Sequence, residues 1–482
     1  MTDTQDLKSQ VLQSLKWVAL GKVATQVVRW AMTFWVIRML VPEDYGVVAM
    51  ADIVFGFLPL LIGPLFTPAL IQAKNLSQKA LKQAFGMIII LYSAIFFLQI
   101  GFADAIGAFY QSENVASILK VNAWAYLVIA LNVIPSALLA RSMDFKRISI
   151  IAAIANITAA LTTLVLAYLG YGFWALIIGE MASLILRTIL ILAIKPITFL
   201  PEFKISEVTQ YMKFGGILTL HSIIFYVFLH MDIAIAGQFM SAAEVGLYAI
   251  GLHIALMPQK KMLPLLKEVA FPAFSKIQDQ PKRINAYIVK SQKLSLLVTI
   301  PVFWGLGATV DQIIPIIIGE KWSGAIIPTM IILFVMPLRF SEELFNPALK
   351  SLKKVKHLLG NILIMLVIIL IFLLYFMDMG ATGLALAWGV GFPLSYLIIA
   401  TRNCRSFKIP VTDILKSFLS PIIAGILMIV SVFLSKEWLS AVVISNLLGQ
   451  IAIGAVTFAA SIWLLDKKSL VEMSTMLRNK RA

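Results

Sequence analysis

The sequence WVALGKVATQVVRWAMTFWVIRML, from Trp17 to Leu40, predicts a membrane-spanning helix that carries charge. Its polar side chains recur at steps of four, three and four residues and therefore share one helical face: Lys22, Gln26, Arg29 and Thr33. A cation near the bilayer centre costs about 3 kcal/mol, so this face must meet protein or water rather than lipid. It either lines a cavity that receives an anion, or forms a structural ion pair with an acid such as Asp52.

The composition of the whole chain is that of an integral membrane protein. Of its 482 residues, 60% are hydrophobic and 13% are charged, whereas soluble domains carry roughly 25% charged residues. The single cysteine, Cys404, excludes an intramolecular disulfide and any metal site built from several cysteines. The first apolar segment is too long and too charged for a cleaved signal peptide, so we expect it to remain as a helix.

Apolar runs long enough to cross a bilayer recur along the chain and predict an all-α polytopic membrane protein with about 14 transmembrane helices. The predicted spans are 17–40, 45–71, 82–103, 116–140, 148–168, 172–195, 212–237, 244–271, 287–310, 324–349, 357–377, 380–402, 413–434 and 441–465. Lysine and arginine concentrate in alternate loops, with Arg38, Lys321 and Lys436 as the exceptions. The positive-inside rule then places both termini in the cytoplasm.

The same distribution accounts for the net charge of +16. Basic loops orient the helices and attract anionic headgroups, so anionic membrane lipids are expected partners. Because the basic residues follow the membrane topology, nucleic acid is not an expected partner.

An internal repeat divides the predicted helices into two lobes. Pro42–Ile71 aligns with Ala242–Phe271 without a gap, and Gly172-Phe173-Trp174 at helix six matches Gly383-Leu384-Ala385 at helix twelve. We predict an N-lobe of residues 1–200, a C-lobe of residues 201–410, two further helices in residues 411–465 and a cytoplasmic tail of residues 466–482. Because each lobe has an even number of helices, both lobes have the same orientation, in a parallel repeat.

Other charged residues inside predicted spans are candidates for ion coupling or gating. Arg339, Glu342 and Glu343 share a face of helix ten. Arg339 can pair with one acid and leave the other to hold H⁺ or Na⁺, or all three can form a packing network. On helix six, Glu180 and Arg187 form a similar face, for which a structural pair is the favoured interpretation. The full set of candidates is Asp52, Glu180, Arg187, His221, His230, Arg339, Glu342 and Glu343.

Two of these candidates, His221 and His230, lie in helix seven. The polar face of that helix, formed by Thr219, Ser222, Tyr226 and His230, corresponds in position to the cationic face of helix one. An imidazole can carry a proton near neutral pH, although a buried hydrogen bond is its commoner role. The second lobe is therefore predicted to be neutral and polar where the first is cationic.

Several classes of protein are excluded by what the loops lack. No Gly-rich phosphate loop of the Walker type occurs, so we expect no ATPase. No large outward loop offers the catalytic face of a membrane glycosyl polymerase or ligase, and no His, Cys and Glu set has metal-ligand spacing. We therefore expect neither an enzyme nor a cofactor, and at most coupling to H⁺ or Na⁺.

Four stretches give the chain a resemblance to a known family. Residues 38–46, RMLVPEDYG, are similar to the first-loop signature of the bacterial polysaccharide transporter family, the Wzx-type flippases. Residues 271–279, FPAFSKIQD, and 319–322, GEKW, resemble stretches of the branch that includes the colanic-acid flippase. Residues 141–147, RSMDFKR, fit the loop after helix four of that branch.

The resemblance implies the MATE-like fold of the multidrug/oligosaccharidyl-lipid/polysaccharide (MOP) exporter superfamily. It also implies movement of an undecaprenyl-pyrophosphate-linked oligosaccharide to the outer leaflet of the cytoplasmic membrane by alternating access, with polysaccharide polymerase machinery as a further partner. A pyrophosphate is an anion, which suits the face that carries Lys22 and Arg29. A lipid II flippase and a cation-coupled multidrug exporter remain alternatives on the same fold, although the exporter would need an acidic, aromatic site.

Overall fold

The computed structural model describes residues 30–72, 76–204, 209–276, 279–352, 354–437 and 443–479. These residues form helices joined by short connections, with no β-strand among them, so the predicted all-α fold is confirmed. The chain divides into two compact units, Met1–Ile223 and Ile224–Ala482. The predicted boundaries of the two lobes and of the C-terminal pair of helices stay a prediction.

The first unit is built on a pair of long antiparallel helices with a second pair beside it. Its helices are α1 (residues 30–39), α2 (Pro42–Phe57), α3 (Gly63–Gln72), α4 (Gln78–Phe109), α5 (Glu113–Arg141), α6 (Phe145–Tyr168) and α7 (Trp174–Ile194). Helix α4 packs along α5, α6 packs along α7, and α5 also contacts α2, α3 and α7. Pro59 lies in the 3₁₀ turn that separates α2 from α3, where it interrupts the helix.

The second unit repeats this pairing of neighbours. Its helices are α8 (Thr209–Phe239), which begins before the boundary between the units, α9 (Ala242–Lys276), α10 (Pro281–Ile318), α11 (Ile326–Glu343), α12 (Phe345–Ser351), α13 (Val355–Phe376), α14 (Gly380–Phe407), α15 (Val411–Ser435) and α16 (Val443–Asn479). Helix α10 packs on α11 and α15, α13 packs on α14, and α11 also contacts α9 and α14.

The last two helices are fastened to α10 by polar contacts. Nζ of Lys436, which follows α15, lies 2.6 Å from Oδ2 of Asp311 in α10. Asp466, where the backbone of α16 leaves the helical conformation, forms an ion pair with Lys293 of α10. It also accepts a hydrogen bond from the Ser420 hydroxyl at 3.0 Å. The partner Asp311 neutralises Lys436, which explains one exception to the predicted distribution of basic residues.

Eleven helical intervals of the described residues are long and apolar enough to cross a membrane. One of them, Lys356–Phe407, contains both α13 and α14. The predicted span 17–40, of which only α1 is described, and the lysine-bearing α9 are not among the eleven. Counted separately, α13 and α14 bring the described candidates to twelve, and the predicted spans 17–40 and 244–271 are the remaining two of the predicted 14.

Candidate functional site

Thr33 is the one member of the predicted polar face of helix one that the structure describes, since Lys22, Gln26 and Arg29 lie outside the described residues. Thr33 lines a cavity of about 250 Å³ within the first unit, between α1, α2, α6 and α7. Apolar residues at the end of α1, including Val36 and Leu40, pack with α6 and α7 and hold α1 beside this cavity. The role of the four residues in binding stays a prediction.

The described wall of this cavity is mainly apolar and carries four polar, uncharged side chains. Thr33 of α1, Tyr45 of α2, and Asn156 and Thr163 of α6 contribute two alkyl hydroxyls, a phenol and an amide. Between them lie apolar side chains, namely Met32, Val36, Ala159, Ala160 and Leu176. Among the described residues that line the cavity there is no acid, lysine, arginine or histidine.

A second polar feature of the first unit lies on α7, where Glu180 and Arg187 are exposed although they stand inside the span Trp174–Ile194. They are two helical turns apart, about 10 Å along the axis, and no ion pair joins them in the described structure. The structural pair suggested by their shared face is therefore not formed. Asp52 of α2 lies close enough to Glu180 for the two carboxylate charges to interact.

In the second unit, Arg339 is buried and stacks on aromatic rings. Its Cζ atom lies 4.4 Å from the ring centroid of Trp388 and 5.9 Å from that of Phe392, both in α14. The charges of Glu342 and Glu343 act on the guanidinium, yet its Nη1 atom has no hydrogen-bond partner within the described part of the chain. Arg339 thus makes a cation–π contact within the field of these acids, and its pairing with one of them stays a prediction.

The two acids of this group lie where α11 ends. Arg339, Glu342 and Glu343 all lie in the last two turns of this helix, which ends at Glu343, and α12 begins at Phe345. Glu342 is buried, whereas Glu343 accepts a hydrogen bond from Nδ2 of Asn346 at 3.2 Å. Whether either acid couples transport to an ion stays a prediction.

Asp232 of α8 is a buried acid that is not among the candidates predicted from the sequence. It is fully buried and accepts hydrogen bonds from the Tyr248 hydroxyl at 2.5 Å and from Nε1 of Trp388 at 2.9 Å. Because Arg339 stacks on the same Trp388, one indole ring joins a buried anion and a buried cation. In the sequence, the only indication of this buried contact is that Asp232 is an acid inside an apolar run.

Two histidines of the second unit, His230 and His253, lie near Lys260 of α9. The rings of His230 and Tyr226 stack with centroids 4.2 Å apart, and the charge of Lys260 in α9 acts on both His230 and His253. Among the candidates predicted in helix seven, only His230 can be placed, since the side chain of His221 is outside the described part of the chain.

Comparison with known proteins identifies the family of this chain. A family model described as "polysaccharide biosynthesis protein" matches residues 35–327. The chain is 24% identical to a membrane protein of the cps region of Klebsiella pneumoniae, over 98% of each chain. It is 25% identical to the lipopolysaccharide biosynthesis protein WzxC of Escherichia coli (strain K12), over 69% of this chain and 68% of that protein. It is 23% identical to the succinoglycan biosynthesis transport protein ExoT of Rhizobium meliloti (strain 1021), over 67% and 66%.

Two solved structures share the fold. The lipid II flippase MurJ in an inward closed conformation matches 94% of this chain and 100% of its own with a TM-score of 0.77 at 17% identity. An inward-facing multidrug resistance MATE transporter of the MOP superfamily matches 78% and 93% with a TM-score of 0.60 at 12% identity. The predicted MOP-type fold is thereby confirmed. The chain belongs to the family of polysaccharide biosynthesis proteins, and its predicted resemblance to the Wzx-type polysaccharide flippases is confirmed.

Proposed function

We propose that this protein moves an undecaprenyl-pyrophosphate-linked oligosaccharide from the inner to the outer leaflet of the cytoplasmic membrane. Family membership supports a role in polysaccharide biosynthesis, and the name of ExoT supports transport. The apolar tail of such a lipid can remain in the bilayer while only its polar headgroup crosses. A protein that performs this task needs a polar path along its helices rather than a catalytic domain.

The observation that carries the proposal is the exposure of Glu180 and Arg187 inside a membrane span. A charge turned toward lipid costs about 3 kcal/mol, so this face of α7 meets water or protein. The predicted cationic face of helix one, with Lys22 and Arg29, would supply the positive charge that a pyrophosphate requires. Together these residues would give an anionic headgroup a hydrated route.

Alternating access coupled to H⁺ or Na⁺ would drive net movement in this proposal. The candidates for coupling are the acids that lie within membrane spans, namely Asp52, Glu180, Glu342 and Glu343. Both termini would lie in the cytoplasm, with anionic lipids and the polysaccharide polymerase machinery as partners. The described residues that line the cavity beside Thr33 include no acid and one aromatic ring, which favours the sugar lipid over an organic cation.

The experiment is complementation of a strain that lacks the gene for this protein. Arg29→Glu should abolish surface polysaccharide while the protein still reaches the membrane at the wild-type level, and Arg29→Lys should retain part of the export. Lys120→Gln is the matched control, since Lys120 pairs with Asp104 at 2.6 Å on an exposed surface. Normal export by Arg29→Glu would contradict the anion-binding role.

A further inference from the structure

We infer that the cavity beside Thr33 holds one neutral sugar ring of the transported headgroup. The inference rests on the proposed function and adds to it a binding site of defined chemistry, formed by Thr33, Tyr45, Asn156 and Thr163. These four residues are called the sugar site below.

The size of the cavity suits a single ring. Its volume of about 250 Å³ lies below the roughly 300–1,000 Å³ typical of sites for drug-sized ligands. Ala159 and Ala160 create the space on α6, because longer side chains would fill it. Gly179 of α7 lies against the hydroxyl of Thr163, and any Cβ at that position would collide with it. This volume matches one sugar unit better than a whole oligosaccharide.

The polar groups stand at separate points around an apolar wall. Asn156 and Thr163 are two turns apart on α6, about 10 Å along the axis. Thr33 and Tyr45 approach from other helices, α1 and α2. Hydroxyl groups donate and accept hydrogen bonds, and an amide does both through different atoms. Sugar hydroxyls have the same dual character, so they can be bound all around the ring while its C–H groups contact the alanines.

The described lining favours a neutral ligand over other ligand classes. A phosphate group is bound by arginine, lysine or backbone N–H groups, and an organic cation is bound by carboxylates or aromatic faces. The sugar site offers a single aromatic ring, Tyr45, and no charged side chain among its described residues. On the predicted helix one, Arg29 precedes Thr33 by one turn, which is about 6 Å. If Arg29 binds the pyrophosphate, the sugar attached to it would lie level with the sugar site along the helix axis.

Binding can be tested without transport. Purified protein in detergent is titrated with methyl glycosides of hexoses and N-acetylhexosamines, and thermal unfolding reports the stabilisation. We expect one or more of these glycosides to stabilise the wild type, and Thr163→Val or Asn156→Leu to weaken their apparent affinity about fivefold, as for one lost hydrogen bond. Thr162→Val, one position away on α6 and not in the lining, is the matched control and should bind as the wild type does. Thr163→Ser should retain binding. Equal affinity in all variants, or no stabilisation of the wild type, would overturn the inference.

Transport then separates the site from the proposed function. In proteoliposomes, Thr163→Val should raise the half-saturating concentration of a polyprenyl-pyrophosphate-linked sugar about fivefold and leave the maximal rate unchanged. A lower maximal rate at an unchanged half-saturating concentration would show a conformational role for Thr163 and would contradict the sugar site. If the wild type binds a methyl glycoside but transfers no sugar lipid, the sugar site stands and the proposed function fails.

Discussion

Oδ1 of Asp44 accepts a hydrogen bond from the backbone N–H of Phe173 at 2.9 Å, which ties the start of α2 to the start of α7. The other carboxylate oxygen accepts from the N–H of Val41 at 3.0 Å, so the same side chain also caps α2. Gly172, with φ of 56°, brings the chain against the carboxylate. One acid therefore joins two helical hairpins of the first unit.

The second unit contains the same arrangement. Glu244 accepts a hydrogen bond from the N–H of Ser241 at 3.2 Å and lies directly against Gly380, which has φ of 59° and begins α14. The gapless alignment of Pro42–Ile71 with Ala242–Phe271 places Asp44 opposite Glu244. These matched contacts pair Gly172 with Gly380, and not with Gly383 as the sequence alone suggested, and they support the internal repeat.

Asp44→Ala should lower the free energy of unfolding of the protein by about 2 kcal/mol, since two backbone N–H groups lose a charged acceptor. Asp44→Asn should lower the free energy of unfolding by about half as much, because the amide oxygen still accepts a hydrogen bond. Unfolding in detergent measures the loss, and faster hydrogen exchange at the Phe173 amide locates it. Glu43→Ala, an exposed neighbour, should change stability by less than about 0.5 kcal/mol. Equal effects at both positions would argue against the contact with Phe173.

Gly380→Ala should destabilise the protein by about 2 kcal/mol, because its backbone conformation favours glycine and the new Cβ meets the Glu244 carboxylate. In a Glu244→Ala background the new Cβ no longer meets a carboxylate, so Gly380→Ala should destabilise the protein by only about 1 kcal/mol. Gly101→Ala is the control, since a Cβ on this α4 residue meets nothing within 4 Å, and it should be neutral or stabilising. Strictly additive losses for Gly380→Ala and Glu244→Ala would contradict the contact.

The ion pair between Lys293 and Asp466 should couple α16 to α10. Reversal of either charge alone should destabilise the protein by about 1–2 kcal/mol, and the double exchange, Lys293→Asp with Asp466→Lys, should recover part of the loss. The double exchange should not recover the full stability, because Asp466 also accepts a hydrogen bond from the Ser420 hydroxyl at 3.0 Å and a lysine there cannot accept it. Unfolding free energies of the four proteins provide the measurement, and an exchange that is no better than the single reversals would show that the pair does not matter.

Trp388→Phe should destabilise the second unit by about 2–3 kcal/mol, since the buried Asp232 loses a donor and Arg339 loses its larger ring. Trp304→Phe is matched in chemistry, because it removes an indole N–H that donates to the Phe334 carbonyl at 2.9 Å. Because the Phe334 carbonyl is a neutral acceptor, Trp304→Phe should lower the free energy of unfolding by about 1 kcal/mol. Chemical unfolding of both variants gives the comparison, and similar losses would mean that the Asp232 contact is not charge-assisted.

The sequence predicts the all-α fold well because the length of an apolar run is set by the thickness of a bilayer. The repeat is also visible, since Pro42–Ile71 aligns with Ala242–Phe271 without a gap. The sequence cannot show which glycine has a positive φ, so Gly172 was matched with Gly383, three residues after Gly380. Backbone conformation at a turn depends on the partner that the turn meets, here Glu244.

The contacts of buried charges were harder to foresee than the charges themselves. Spacing on one helix suggested acids as partners of Arg339, but its ring partner Trp388 lies in another helix, 49 residues later in the chain. The contacts of Asp232 could not be predicted for the same reason, because its donors Tyr248 and Trp388 come from α9 and α14. Helical periodicity reports neighbours on one helix and not the packing of different helices.

The most direct test of the proposed function is transfer of a fluorescent polyprenyl-pyrophosphate-linked oligosaccharide between the leaflets of proteoliposomes that contain the purified wild-type protein. We predict that the labelled lipid becomes accessible to a membrane-impermeant quencher on the opposite face far faster than in protein-free vesicles. Arg187→Glu, which reverses the exposed charge on α7, should slow this transfer at least tenfold. Transfer by the wild type at the protein-free rate, with a cationic drug moved instead, would contradict the account.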